Sequence, residues 1–91
     1  MSPFSDAMLK VYGSMLCPDC VQCRADLDAA DVTYQYFDFA EDLRSLKVFL
    51  SLRDSDPIFH EVKAEGRIGI PCIVDEQGSV TLDWSCYVGQ D

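Results

Sequence analysis

The chain has 91 residues, 48% of them hydrophobic and 25% charged, with 16 acidic against 7 basic side chains and a formal net charge of −9. That length supports one domain, spanning residues 1–91, with one small core, and the charge excludes nucleic acid and anionic membrane surfaces as partners. No apolar run approaches the roughly 20 residues of a membrane-spanning helix, and residues 1–7 have neither the basic start nor the apolar stretch of a signal peptide. The expectation is a cytoplasmic monomer with 1–7 as a flexible N-terminal extension.

Leu9-Lys10-Val11-Tyr12 alternates apolar and polar and then meets Gly13-Ser14, which predicts a strand ending there. Pro18 suits the first turn of a helix, where a missing N–H is not needed. The spacing of Val21, Leu27 and Ala30 predicts that helix to run to about Ala30 with those residues inward, and puts Cys17 at its N-cap or immediately beside it. Val32 to Phe39 is β-branched and aromatic and predicts a second strand. Ala40-Glu41-Asp42 opens a second helix, with Leu43, Leu46, Leu50 and Val48 or Phe49 as its apolar stripe to about Arg53. Asp54-Ser55-Asp56-Pro57 breaks it and starts a short helix that Gly66 stops. Cys72-Ile73-Val74 and Ser79 to Leu82 predict two strands joined by a turn at Glu76-Gln77-Gly78, and Asp83 caps a last helical turn at Trp84. The order is β-α-β-α-(α)-β-β, an α/β class.

Five cysteines is a high count for a chain in a reducing compartment, and an odd number cannot all pair internally. Clustered cysteines there point to redox chemistry or metal binding. Cys17 and Cys20 form a Cys-x-x-Cys unit at a strand–turn–helix junction. Cysteine attacks as the thiolate, which the unpaired N–H groups and dipole of a helix N-terminus stabilise. Cys20, one helical turn further in, lies close enough to bond with it. Cys17 is therefore the candidate nucleophile and Cys20 the candidate resolving thiol. The competing reading is a thiolate metal or iron–sulfur module using Cys17, Cys20 and Cys23, with Cys72 as a fourth ligand. A third is an interaction domain with an acidic binding surface. Cys23 and Cys72 also read as core residues, because cysteine packs as a small hydrophobe. His60, the only histidine, reads as solvated.

Cys17-Pro18-Asp19-Cys20 is similar to the Cys-Pro-Tyr-Cys of glutaredoxins, and Ile70-Pro71, about fifty residues on, is similar to their Val-Pro. With the element order, residues 8 to 84 resemble a divergent, bacterial glutaredoxin-related group within the thioredoxin superfamily. The resemblance implies a thioredoxin-like fold, with a four-stranded mixed sheet flanked by helices. It also implies a cis peptide bond at Pro71, packing of Pro71 against the Cys17–Cys20 disulfide, and pairing of the Ile70 backbone with an extended substrate. Pro18, Asp19, Arg67, Ile70, Pro71 and Asp83 become substrate-binding candidates on this basis. No tightly bound cofactor or metal is implied. The implied partners are a disulfide or glutathionylated substrate, and glutathione (as reductant or co-substrate) or a thioredoxin-reductase-type donor. Three positions depart from the family pattern. Ser14 stands where a basic residue precedes the nucleophile, Asp19 replaces the tyrosine between the cysteines, and Thr81-Leu82-Asp83 replaces a double glycine with an acidic residue. A carboxylate at position 19 opposes thiolate formation and repels glutathione carboxylates. The stretch 54–67 resembles an insertion.

Overall fold

A computed structural model describes residues 8–88; the expected N-terminal extension, 1–7, lies outside the described residues. Strand β1 (Leu9–Gly13) is followed by helix α1 (Pro18–Ala29), β2 (Tyr34–Asp38) and α2 (Leu43–Ser55). A 3-10 turn (Pro57–Phe59) leads into α3 (His60–Ala64), and then come β3 (Cys72–Val74), β4 (Val80–Thr81) and a final 3-10 turn (Trp84–Tyr87). The protein is α/β, with one four-stranded mixed sheet in the order β2-β1-β3-β4. β1 runs parallel to β2 with Val11 opposite Tyr36, and antiparallel to β3 with Tyr12 opposite Cys72. β3 and β4 are antiparallel. No helix among the described residues is long and apolar enough to cross a membrane.

Strand alternation divides the core into two layers. On one face Leu9, Val11 and Ile73 pack against Cys23 and Leu27 of α1, with Tyr36 and Trp84 at the margin. On the other, Tyr12 and Cys72 meet Phe49, Phe59 and Val62 from α2, the 3-10 turn and α3. Phe49 sits between Phe39 (5.1 Å between ring centroids) and an edge-on Phe59 (5.6 Å), separations at which aromatic pairs add about 0.5–1.5 kcal/mol beyond burial.

The helices sit where the sequence places them, but their inward faces differ. In α1 the buried residues are Cys20, Cys23 and Leu27, while Val21 and Ala30 are exposed. The inward stripe thus follows the two cysteines at a spacing of three and four. In α2 the buried residues are Ser45 and Phe49, and Leu43 is 72% exposed. Phe49, packed between Phe39 and Phe59, sets the inward face, and Ser45 lies one turn before it on that face. Asp42 caps the helix, accepting hydrogen bonds from Arg44 N (2.9 Å) and the Ser45 hydroxyl (3.3 Å). β2 and β4 are shorter than their apolar runs. Past Asp38 the Phe39 N–H bonds to Gly13 O across the strand end, and Ser79 is drawn into the turn by Asp75.

Candidate active site

The β1–α1 turn is built by Ser14. Its carbonyl accepts from Cys17 N (3.0 Å) and its hydroxyl from Leu16 N (3.1 Å). Cys17 is the N-cap of α1, extended at φ −95°, and Pro18 follows at N1. Cys17 is partly exposed, whereas Cys20 is fully buried, and both are free thiols.

The opposite wall is the loop 66–71. Gly66 (φ +74°) ends α3 and Gly69 (φ +97°) takes a backbone conformation that other residues rarely adopt. A Cβ on Gly69 would also lie 2.9 Å from the Phe59 ring. The Ile70–Pro71 bond is cis. Arg53 clamps the loop from α2, donating from Nε to Ile68 O (2.7 Å) and from its terminal nitrogen to Arg67 O (2.6 Å). Among the described residues the Ile70 amide and carbonyl make no hydrogen bond.

Between turn and loop lies a cleft of about 680 Å³, lined by Cys17, Asp19, Arg67, Ile70, Pro71 and Asp83 among others. Six of the eight sequence-predicted site residues therefore line one cavity. Pro18 is exposed at the start of α1 and Cys20 is buried beneath Cys17; neither lines it. The cleft is acidic. Asp19, Glu61 and Asp83 line it, and the one cation among its described lining residues, Arg67, is bound to Glu65 at 2.7 Å. Hydrogen bonds from Ser85 at the last 3-10 turn hold the Asp83 carboxyl below its usual range, so it is charged at neutral pH. Leu16 beside Cys17 and Ile68 on the facing loop are exposed apolar side chains.

Cys20 has its own surroundings. A Cβ on Gly13 would stand 2.6 Å from Cys20 Sγ and 3.1 Å from Tyr36 Oη, so only glycine lets α1 pack this close to β1. Burial pushes the Cys20 thiol up to about 11. The Ser14 backbone N–H and the Tyr36 hydroxyl act against that rise, and the Cys17 sulfur adds to it. Tyr36 Oη is buried on the same side of Gly13 as this sulfur and, among the described residues, has no hydrogen-bond partner. Gly13, Tyr36 and Arg53 were not singled out from the sequence. The strand register that brings Tyr36 beneath Cys20 is a long-range property, and Gly13 reads equally as a simple strand end.

Cys23 and Cys72 do not join the cleft. Both are fully buried, on opposite faces of the sheet, and burial pushes each thiol up to about 12. Cys86 and His60 are exposed. Among the described residues no three His, Cys, Asp or Glu side chains are arranged to hold a metal ion, so the set Cys17, Cys20, Cys23 and Cys72 does not fit one.

An uncharacterized protein of Haemophilus influenzae is 41% identical to this chain over 69 residues, which cover 76% of the chain and 80% of that protein. The two belong to one family. No family model and no solved structure matches the chain.

Proposed function

We propose that the protein is a glutaredoxin-like thiol–disulfide oxidoreductase on a thioredoxin-like fold. One observation carries this: Cys17, at a helix N-terminus, opens onto a cleft shared with Pro71, while Cys20 is buried one turn further along the same helix. The pair is thereby split into an accessible attacking sulfur and a protected resolving one, the division of labour that dithiol exchange needs.

In the first step the Cys17 thiolate attacks one sulfur of a substrate disulfide. A mixed disulfide forms and the other substrate thiolate leaves. Cys20 gives up its proton to solvent and attacks Cys17 Sγ, which releases the second substrate thiolate. The substrate gains two electrons and the Cys17–Cys20 pair loses them. A donor dithiol or two donor thiols reverse the process at Cys17. The Ile70 amide and carbonyl, unbonded among the described residues, are available to an extended substrate chain.

The lining bears on the substrate. Among the described lining residues three carboxylates face the cleft, and the one arginine is paired with Glu65. Glutathione carries net negative charge and meets repulsion there. A protein disulfide flanked by basic and apolar residues meets complementary charge, with Leu16 and Ile68 as contact points. The direct test uses Cys17→Ser and Cys20→Ser. The first should abolish disulfide exchange. The second should trap a mixed disulfide on Cys17. Full exchange activity in Cys17→Ser would refute the proposal.

A further inference from the structure

Among the described residues, the buried Tyr36 hydroxyl has no hydrogen-bond partner. Such a group ordinarily destabilises a fold, because its desolvation is not compensated. Its position is not arbitrary. Gly13 leaves open the space where a Cβ would lie within 3.1 Å of Tyr36 Oη and within 2.6 Å of Cys20 Sγ. The Ser14 backbone N–H acts on the same sulfur, opposing the rise in its pKa that burial causes. On the outer side, the Arg24 guanidinium lies 4.5 Å from the centroid of the Tyr36 ring. It is held there by hydrogen bonds from its nitrogens to Tyr34 Oη (3.3 Å) and Met15 Sδ (3.6 Å). A cation over a phenol ring draws density from it and strengthens the O–H as a donor.

We infer that Tyr36 is a catalytic hydrogen-bond donor to the Cys20 thiolate, with the Ser14 N–H as a second donor and Arg24 as a positioning residue. The inference rests on the oxidoreductase proposal and adds the means by which its buried thiol reacts. A neutral Cys20 thiol has little use for the Tyr36 proton, which is why the hydroxyl is orphaned in the reduced protein. When Cys20–SH loses its proton to solvent, Tyr36 O–H donates to the new thiolate. When an incoming donor thiolate attacks Cys17 of the disulfide, the S–S bond breaks, the electron pair goes to Cys20, and the same O–H receives it. Tyr36 keeps its proton throughout. Burial first, and the neighbouring sulfur next, hold its phenol far above the ordinary range, so it is a donor and not a base.

A hydrogen bond to a charged group shifts an ionisation by about tenfold to a hundredfold. The nucleophilicity lost with a lower pKa takes back nearly half of that on a logarithmic scale, which leaves a net gain of about threefold to tenfold in the resolving step. The test mixes reduced protein with 2-hydroxyethyl disulfide, a neutral probe, quenches in acid and counts the Cys17 mixed disulfide by intact mass. Tyr36→Phe should lengthen its lifetime about threefold to tenfold, leave Cys17 alkylation unchanged, and leave Tm unchanged or raised, because an unpaired buried hydroxyl is removed. Arg24→Gln, a substitution at the surface, should lengthen the lifetime about twofold. An unchanged lifetime in Tyr36→Phe overturns the inference while leaving the oxidoreductase proposal intact. A longer lifetime accompanied by lower Tm and altered Cys17 alkylation also overturns it, as general loosening. A wild-type protein that never resolves a Cys17 mixed disulfide overturns both.

Discussion

Gly13 and Cys20 are packed so closely that a methyl group on one would stand 2.6 Å from the sulfur of the other. Neither partner has room to retreat, since Cys20 has a short side chain, fully buried against β1. Gly13→Ala should therefore destabilise the fold by about 1–3 kcal/mol, the usual cost of overpacking. It should also push Cys20 away from Cys17 and slow formation of their disulfide. Thermal denaturation and disulfide formation rate check this together. A variant with wild-type Tm and rate would mean that the two elements are not in this contact.

The Arg53 clamp makes a second prediction. Its two hydrogen bonds to Ile68 O and Arg67 O join α2 to the loop that carries Pro71. Hydrogen bonds from a charged donor contribute about 1.5–3 kcal/mol when shielded, and solvent screening reduces that for this half-exposed side chain. Arg53→Ala should cost about 1 kcal/mol and increase amide hydrogen exchange in residues 67–70. Arg53→Lys should recover little, because a single ammonium does not reproduce the fork. Unchanged exchange in the loop would count against the clamp.

The charge of the cleft can be read by substrate choice. Asp19→Asn removes one of three lining carboxylates. Reduction of glutathione disulfide should rise about twofold to fivefold at low ionic strength, and the gain should shrink as salt is raised to about 0.5 M. Reduction of neutral 2-hydroxyethyl disulfide should change less. A peptide disulfide flanked by lysines should be reduced faster than glutathione disulfide by the wild type and should lose part of that advantage in the variant. Equal rates for the anionic and cationic substrates would remove the electrostatic preference.

The buried thiols fix the direction of the pH response. Burial pushes Cys20 up to about 11, and Cys23 and Cys72 up to about 12, from an ordinary 9.0. Each thiol is held neutral by the fold. The stability linked to that is fully present below the unfolded value and lost as pH rises from about 9 toward the folded values. Tm should be flat between about pH 6 and 8 and fall above about pH 9. At neutral pH, alkylation of the native protein should label Cys17 and Cys86 and spare the three buried thiols. Labelling of all five at equal rates would contradict the burial described here.

Much of this arrangement was legible in the sequence, for identifiable reasons. Short-range signals marked the elements: Pro18 at a helix start, Gly66 at a helix end, the Asp56-Pro57 break. Cys17 was reached from the Cys-x-x-Cys unit at a helix start, and Asp19, Arg67, Ile70, Pro71 and Asp83 because a resemblance linked segments far apart in the chain. Which face of each helix turns inward was less legible. In α1, cysteine competes with valine as a small apolar residue; the close approach at Gly13 admits Cys20, and Cys23 packs with Leu9, Val11, Leu27 and Ile73. In α2 the packing of Phe49 between Phe39 and Phe59 sets the rotation, which leucine periodicity alone does not reveal. Tyr36 was hidden in an aromatic strand run until the register with β1 brought it beneath Cys20.

The most direct test of the central claim is a redox titration of the reduced protein in thiol–disulfide buffers, with free thiols counted by alkylation and intact mass. One reversible step that consumes two thiols, mapped to Cys17 and Cys20, is expected, while Cys23 and Cys72 stay reduced throughout. Five thiols that remain free across the whole range, or a step that spares Cys17, would contradict it.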